Sequence, residues 1–410
     1  MALELLLFDL DNTLVRSTDL DPFRGAEGTG PRTPARIQAL TRAIRANSDR
    51  LHYTEDDLIA LAQGRRIGVF TRSPSAYAAT LLAECFPRAP WSCVIAYEDV
   101  RHTKPYPDGV WLAMQKLGIQ DVRSVAVVGD EKADVIAAYR AGCWAILDQG
   151  AWPQPWTSPQ YNAVERVADV IVNGPADLRR KIADPISSLP VLELAGERPG
   201  ANLLASCRYD AINHFIPNSI ERGSAWVHVL GRSFSDYRDL DHRRNWHRLS
   251  QEIADLKDAQ QFPGHWVNAL RAYLHHCWPV HHLEPTVVSV IPFKPGRQPR
   301  LERLLNQLQA SDAAVDIHPL TPISFVPDLL RYTNGARSHH GEHLTREERF
   351  INVRDHLQVA RPDQARGKNV VVIDDVATTG ASLVYAAKYL KAAGASKVEC
   401  VALAKAIGPE

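Results

Sequence analysis

Two stretches of this 410-residue sequence place carboxylates where a covered strand should end. In VVVIDDVATTGAS, residues 370–382, the run Val370, Val371, Val372, Ile373 is what a parallel strand buried on both faces requires. Asp374 and Asp375 follow at its carboxyl end, where open α/β sheets place their ligands. Next come Ala377, Thr378, Thr379, Gly380, Ala381 and Ser382, all too small to block a close approach to the backbone. Their N–H groups and hydroxyls, opening a helix, make a cup for a phosphate. An acid pair for sugar hydroxyls beside such a cup suits a ribose 5-phosphate. The other stretch is near the amino terminus, where Leu3 to Leu10 reads as a first parallel strand. Asp9 and Asp11 stand two apart at its end, so both carboxylates share a face and reach one site.

The run through Asp374 to Ser382 resembles the motif of type I phosphoribosyltransferases, which bind phosphoribosyl pyrophosphate (PRPP) with magnesium. FDLDNTL, residues 8–14, resembles the first motif of the haloacid dehalogenase (HAD) superfamily. That second resemblance implies that Asp9 is a nucleophile able to form an aspartyl-phosphate. It also implies that Asp11 protonates the leaving oxygen and later activates water. The remaining pieces stand in the family's order. RIGVF, residues 66–70, is a strand, and Thr71 after it offers a hydroxyl to a phosphoryl oxygen. Lys104, in HTKPYPDGVWLAMQKLG, precedes a helix and would neutralise nucleophile and phosphate together. SVAVVG, residues 124–129, is a third buried strand, followed by Asp130 and Asp134, which share a helical face. With Asp9 and the backbone carbonyl of Asp11, they imply an oxygen cage for Mg2+. KPYPDG and GDEKADVIAAYRAG are similar to the phosphoglycolate-phosphatase-like branch, whose cap lies between the first two strands. Here that insert, Val15 to Arg65, is short, with room for two helices and an open mouth suited to a bulky substrate. Arg72 and Ser73 read equally as further anion contacts or as surface residues.

Nearer the carboxyl terminus, the strand TVVSVI, residues 286–291, runs into PFKPGR. Lys294 and Arg297 flank a turn there that suits pyrophosphate, and LERLLNQLQ continues as a helix. RYTNGARSHHGEHLTREERFINV starts as a polar loop without period and becomes helical near Thr345. Together with the closing strand VECVALAKAI, these segments look like the ComF-like branch of the phosphoribosyltransferases, over residues 285–410. That branch usually opens with a four-cysteine zinc ribbon, and here a HAD-like half stands in its place. The resemblance implies that Tyr332 to Leu344 is a flap folding over PRPP. His339, His340 and His343 lie in it, with Arg337 and Arg349 nearby. They read either as acid/base and diphosphate contacts or as parts of a solvated loop.

Positioning two such clusters takes two sheets, and this length suffices for two or three domains. The expected architecture is α/β, with two Rossmann-like parallel-sheet domains: HAD-like with a small helical cap, then phosphoribosyltransferase-like. The expected bounds are 1–182, with the cap at 15–65, a linker rich in Pro, Gly and Ser at 183–201, and 202–410. In the last of these, Tyr209 to Ile216 and Asn245 to Leu256 read as amphipathic helices covering one face of the second sheet.

Six scattered cysteines without a CxxC pair point to reduced thiols in a cytoplasm. In HHCWPVHH, residues 275–282, adjacent histidines point apart and Pro279 breaks any helical face, which favours a helix-end loop over a metal site. A formal net charge of zero gives no general field toward nucleic acid or an anionic membrane. The apolar run at the amino terminus is too short, and lacks the basic flank, for a signal peptide or a membrane span. The expected partners are therefore phosphorylated small molecules, PRPP and a nucleotide-like phosphoester, with Mg2+ as cofactor and a homodimer as an open option. Two functions fit: a bifunctional enzyme, or a phosphatase regulated by a PRPP-binding half that does not turn over.

Overall fold

The computed structural model describes residues 2–25, 33–277, 285–313, 323–337 and 344–408. The chain divides into two compact units. One comprises Met1–Ser188, Asp236–Trp246 and Gly408–Glu410, the other Leu189–Ser235 and His247–Ile407.

The first unit is built on β1 (Leu5–Phe8), β2 (Arg66–Phe70), β3 (Trp91–Ile95), β4 (Val125–Gly129), β5 (Trp144–Asp148) and β6 (Val170–Val172). All six are parallel, in the order β3-β2-β1-β4-β5-β6. Every residue of β1 and β4 is buried, as a sheet covered on both faces demands. The strand order reverses between β1 and β4, so residues just beyond these neighbours meet at a switch point. Between β1 and β2 the chain forms the helices Asp21–Arg24, Pro34–Arg45 and Glu55–Leu61. The last begins in a capping box, with Thr54 and Asp57 each accepting the other's backbone N–H.

A segment from the later half of the sequence completes this unit. It contains the helix Asp241–Arg244. Arg243, 1% exposed, is ion-paired with the fully buried Asp169, donates to the Cys143 carbonyl at 3.1 Å and lies 3.8 Å from the Trp246 ring centroid. Charges taken this far from water persist only when paired and hydrogen-bonded.

The second unit contains β7 (Asp210–Phe215), β8 (Ser224–Val229), β9 (Arg232–Phe234), β10 (Thr286–Val290), β11 (Ile323–Phe325), β12 (Leu330–Tyr332), β13 (Leu357–Val359), β14 (Asn369–Ala377) and β15 (Lys397–Ile407). The main sheet runs β11-β10-β14-β15-β8-β7, with β9 also paired to β15. Its strands are parallel except that β7 runs antiparallel to β8. A separate antiparallel pair joins β12 and β13. Strand order reverses between β10 and β14, giving this unit its own switch point.

The segment expected as a helix at Tyr209 to Ile216 is instead the edge strand β7, in which burial alternates from Asp210 to Phe215. A window of eight residues separates the two periods poorly. Residues 210–234 thus extend the sheet rather than cover its face, while the second expected helix forms at Arg248–Asp255. Nor is 183–201 a structureless linker: Val191–Glu197 is a helix buried from Val191 to Gly196. Its Glu193 pairs with the buried Arg232 and, at 3.1 Å, with His247. Cys85, Cys93, Cys143 and Cys400 are free thiols, but Cys207 is disulfide-bonded, which corrects the expectation of reduced thiols throughout. No helix among the described residues is long and apolar enough to cross a membrane.

Candidate functional site

At the first switch point, Asp9 follows β1 while Asp130 and Asp134 follow β4, and oxygens of the three carboxylates lie within 4.8 Å of one another. Gly129 makes room, because a Cβ there would collide with the Asp134 side chain. Asp134 accepts the Glu131 N–H at 3.0 Å, so the ligand candidate also caps its own helix, Lys132–Ala141. The Thr13 hydroxyl donates to Asp130 at 2.9 Å, and the Trp152 indole donates to the Asp130 carbonyl at 3.1 Å. Lys104, 3% exposed, donates to Asp9 and, at 2.6 Å, to Asp134.

Burial pushes the Asp9 carboxyl up to about 7; Lys104 opposes the shift, while Asp134 and Asp11 add to it. Burial, then the charges of Asp9 and Asp134, also raise Asp130 well above the usual carboxylate range. Three buried carboxylates facing one ammonium leave an excess of negative charge among oxygen ligands. The donor set therefore fits a hard divalent cation such as Mg2+.

Asp11 is held apart from that group. Its carboxylate accepts from Ser73 at 2.6 Å and Tyr77 at 2.8 Å, and is ion-paired with Arg24 at 2.7 Å. The metal role expected of Asp11 uses its backbone carbonyl, so these partners do not compete with it. The turn that aims both acids passes through Asn12, whose φ of 61° is left-handed, a conformation Asn tolerates. Thr71 is buried, and its hydroxyl accepts the Ser73 N–H at 3.0 Å. Arg72 is ion-paired with Glu131 and half exposed, which puts it on the charged rim beside Asp130.

In the second unit the strand does not stop before the acid pair: β14 runs on through Asp374 and Asp375 to Ala377. The Asp375 N–H donates to Asp374 at 2.9 Å, and the Val376 N–H donates to Asp375 at 2.7 Å. Burial, then the neighbouring Asp375, raise Asp374 well above its ordinary range. Asp375 is ion-paired at 2.6 Å with Arg300, the first residue of the helix Arg300–Ala313. Gly380, with φ of 75°, caps the helix Ala381–Ala392, and the Thr379 hydroxyl accepts the Ala381 N–H at 3.4 Å. Tyr332 and Ser382 hydroxyls lie 3.3 Å apart.

Lys294 donates to the Arg337 carbonyl at 2.8 Å, with its Nζ 5.6 Å from the Tyr332 ring centroid. The turn after β10 is closed by the Arg297 N–H donating to the Lys294 carbonyl at 3.0 Å. Arg349 donates to the Leu344 carbonyl at 3.0 Å, at the start of its own helix. His339, His340 and His343 lie outside the described residues, as do His281 and His282. In that histidine-rich stretch His275 is paired with Asp312 at 2.5 Å. Among the described residues, Asp9, Asp130 and Asp134 are the one group of three or more side chains poised for a metal.

Residues 46–147 match the Haloacid dehalogenase-like hydrolase family and residues 332–409 match the Phosphoribosyl transferase domain. The chain joins a haloacid dehalogenase-like hydrolase domain to a phosphoribosyl transferase domain. The hydrolase domain is similar to the phosphoglycolate phosphatase of Yersinia pseudotuberculosis, 37% identical over 85 residues, which are 21% of this chain and 36% of that protein. It is also similar to the phosphoglycolate phosphatase of Escherichia coli K12, 36% identical over 95 residues, 23% of this chain and 37% of that protein. The chain thus spans little more than a third of the length of these curated relatives. Among solved structures, CbbY from Rhodobacter sphaeroides in complex with phosphate aligns with 21% identity and a TM-score of 0.34, over 43% of this chain and 96% of that one.

Several residues of these sites carry no signal in the linear sequence. Arg24 and Tyr77 reach Asp11 from 13 and 66 positions away, and Arg300 reaches Asp375 from 75 away. In the transferase domain, His214 and Lys405 meet the Thr379 and Thr378 carbonyls from other strands. Thr13 could have been found, since it lies inside the FDLDNTL motif.

Proposed function

We propose that the chain is a bifunctional, magnesium-dependent enzyme. In this reading one domain hydrolyses a phosphomonoester and the other transfers a phosphoribosyl group from PRPP, both on nucleotide-like metabolites. The observation that carries the reading is the buried cluster of Asp9, Lys104, Asp130 and Asp134 at one switch point, echoed by the acid pair and phosphate loop at the other.

In the hydrolase domain Asp9 attacks phosphorus and the ester oxygen leaves with a proton from Asp11, which gives an aspartyl-phosphate. Asp11 then removes a proton from the water that opens this intermediate. Ser73 and Tyr77 hold the Asp11 carboxylate in place, Thr71 offers its hydroxyl to the phosphoryl group, and Lys104 balances the charge of nucleophile and phosphate. Magnesium held by Asp9, Asp130 and Asp134 would neutralise charge on the phosphoryl oxygens. In the transferase domain the loop from Ala377 to Ser382 takes the 5-phosphate, Asp374 and Asp375 take the ribose hydroxyls, and Lys294 and Arg297 stabilise departing pyrophosphate. The phosphoglycolate phosphatases similar to the first domain support a phosphomonoester as its substrate. The segments IPFKPGR and ERFINV support a ComF-like transferase.

The experiment is phosphate release from a panel of phosphate esters with Asp9→Asn as control, run beside pyrophosphate release from PRPP across a panel of bases with Asp375→Asn as control. Turnover in both assays, each lost in its own control, supports the proposal. A second reading, in which the transferase domain binds PRPP without turnover and regulates hydrolysis, is favoured by the Arg300–Asp375 pair, because Arg300 occupies a carboxylate needed for ribose. No pyrophosphate from any acceptor, with phosphate release that changes when PRPP is added, selects that second reading.

A further inference from the structure

The carbonyls of two consecutive peptides in the phosphate loop are gripped by side chains from other strands. His214, on β7, has its Nδ1 3.1 Å from the Thr379 carbonyl oxygen. Lys405, on β15, donates from Nζ to the Thr378 carbonyl at 3.0 Å. A carbonyl oxygen only accepts, so Nδ1 of His214 must carry the proton. Among the described residues its Nε2 has no hydrogen-bond partner, so nothing holds a second proton there. His214 is 8% exposed, and burial, with Lys405 and Arg346 nearby, lowers its pKa to about 4, which keeps it neutral.

A trans peptide is planar, and its C=O and N–H point to opposite sides. Pulling the Thr378 carbonyl one way therefore turns the Thr379 N–H the other way. Pulling the Thr379 carbonyl does the same for the Gly380 N–H. Gly380 completes the arrangement, because its φ of 75° is left-handed and a Cβ on it would lie 2.5 Å from Cγ of His214. Successive N–H groups aligned across such a turn form an anion-binding concavity.

We propose that His214 and Lys405 are positioning residues that hold the loop's N–H groups toward the 5-phosphate of PRPP. This rests on the transferase reading above. Neither residue touches the ligand; each acts through a backbone carbonyl.

The test is calorimetric titration of PRPP with Mg2+ into the full chain carrying Asp9→Asn, so that the hydrolase domain does not consume the ligand. The part of the binding that Gly380→Ala removes defines the loop's share. His214→Leu and Lys405→Met are each expected to weaken that share roughly fivefold. His214→Asn, whose amide nitrogen falls where Nδ1 was, should stay within about twofold of the parent, whereas His214→Gln, whose nitrogen falls near Nε2, should behave like leucine. In turnover assays on the same Asp9→Asn background, read as pyrophosphate release, the loss should appear in KM for PRPP and leave kcat unchanged.

Inorganic pyrophosphate, which has no 5-phosphate, should bind all of these variants as it binds the parent. Parallel loss of pyrophosphate binding would mean general collapse and would overturn the orienting role. If Gly380→Ala removes PRPP binding but the His214 and Lys405 variants match the parent, the inference fails and the transferase reading stands. If Gly380→Ala changes nothing, the transferase reading falls and takes the inference with it.

Discussion

Replacing Asp9 with Asn should remove hydrolysis and at the same time stabilise the metal-free hydrolase domain at alkaline pH. Asp9 is buried, and its carboxyl is raised from 3.8 to about 7, net of the attraction to Lys104. At about 1.4 kcal/mol for each tenfold change in acidity, that rise makes roughly 4 kcal/mol the ceiling on what its ionisation costs the folded state. Because the folded-state value is the higher one, this penalty is absent below about pH 4 and fully present above about pH 7. Asn keeps the shape and never ionises. With a chelator present at pH 8, hydrogen exchange of the β1 and β4 amides in Asp9→Asn should therefore report a domain more stable than the parent by up to about 4 kcal/mol. The gap should close as the pH is lowered through 7 toward 4. Adding Mg2+ should stabilise the parent more than the variant, since a ligand that binds only the folded state shifts the equilibrium toward it. A variant no more stable than the parent at pH 8 without metal would refute the picture of an overcrowded carboxylate cluster.

Arg243→Met strands the buried Asp169; it should destabilise the first unit by about 3–5 kcal/mol in denaturant titration, and adding Asp169→Asn should recover part of the loss. Asp11→Asn should lower phosphate release by roughly 100- to 10,000-fold while PRPP binding at the transferase domain stays intact, as read by a stopped phosphate assay and by calorimetry. Arg300→Leu frees the Asp375 carboxylate for ribose hydroxyls, so PRPP should bind about fivefold more tightly, and weaker binding would mean that Arg300 serves the ligand directly.

Much of both sites was legible because they sit at strand ends, where a short apolar run followed by carboxylates is a local pattern. Asp9, Lys104 and the Asp130–Asp134 pair lie far apart in sequence, yet each stands beside its own recognisable segment, and the fold brings them together. The helix start after Gly380 was legible for the same reason. What stayed hidden depended on tertiary partners. The edge strand β7 has a weak alternation that reads as a helix, and with that misreading His214 could not be placed beside Thr379. Burial of Val191 to Gly196, in a stretch whose composition reads as a linker, follows partly from the partners Arg232 and His247 that Glu193 meets after folding. The return of residues 236–246 to the first unit rests on Arg243 meeting Asp169, 74 positions away, which no local period encodes.

In the proposed reading one chain carries two independent phosphate chemistries. This is tested most directly by measuring phosphate release from a phosphomonoester and pyrophosphate release from PRPP side by side in Asp9→Asn and Asp375→Asn chains. Asp9→Asn should lose only the first product and Asp375→Asn only the second. Loss of both products in either variant, or of neither, would contradict it.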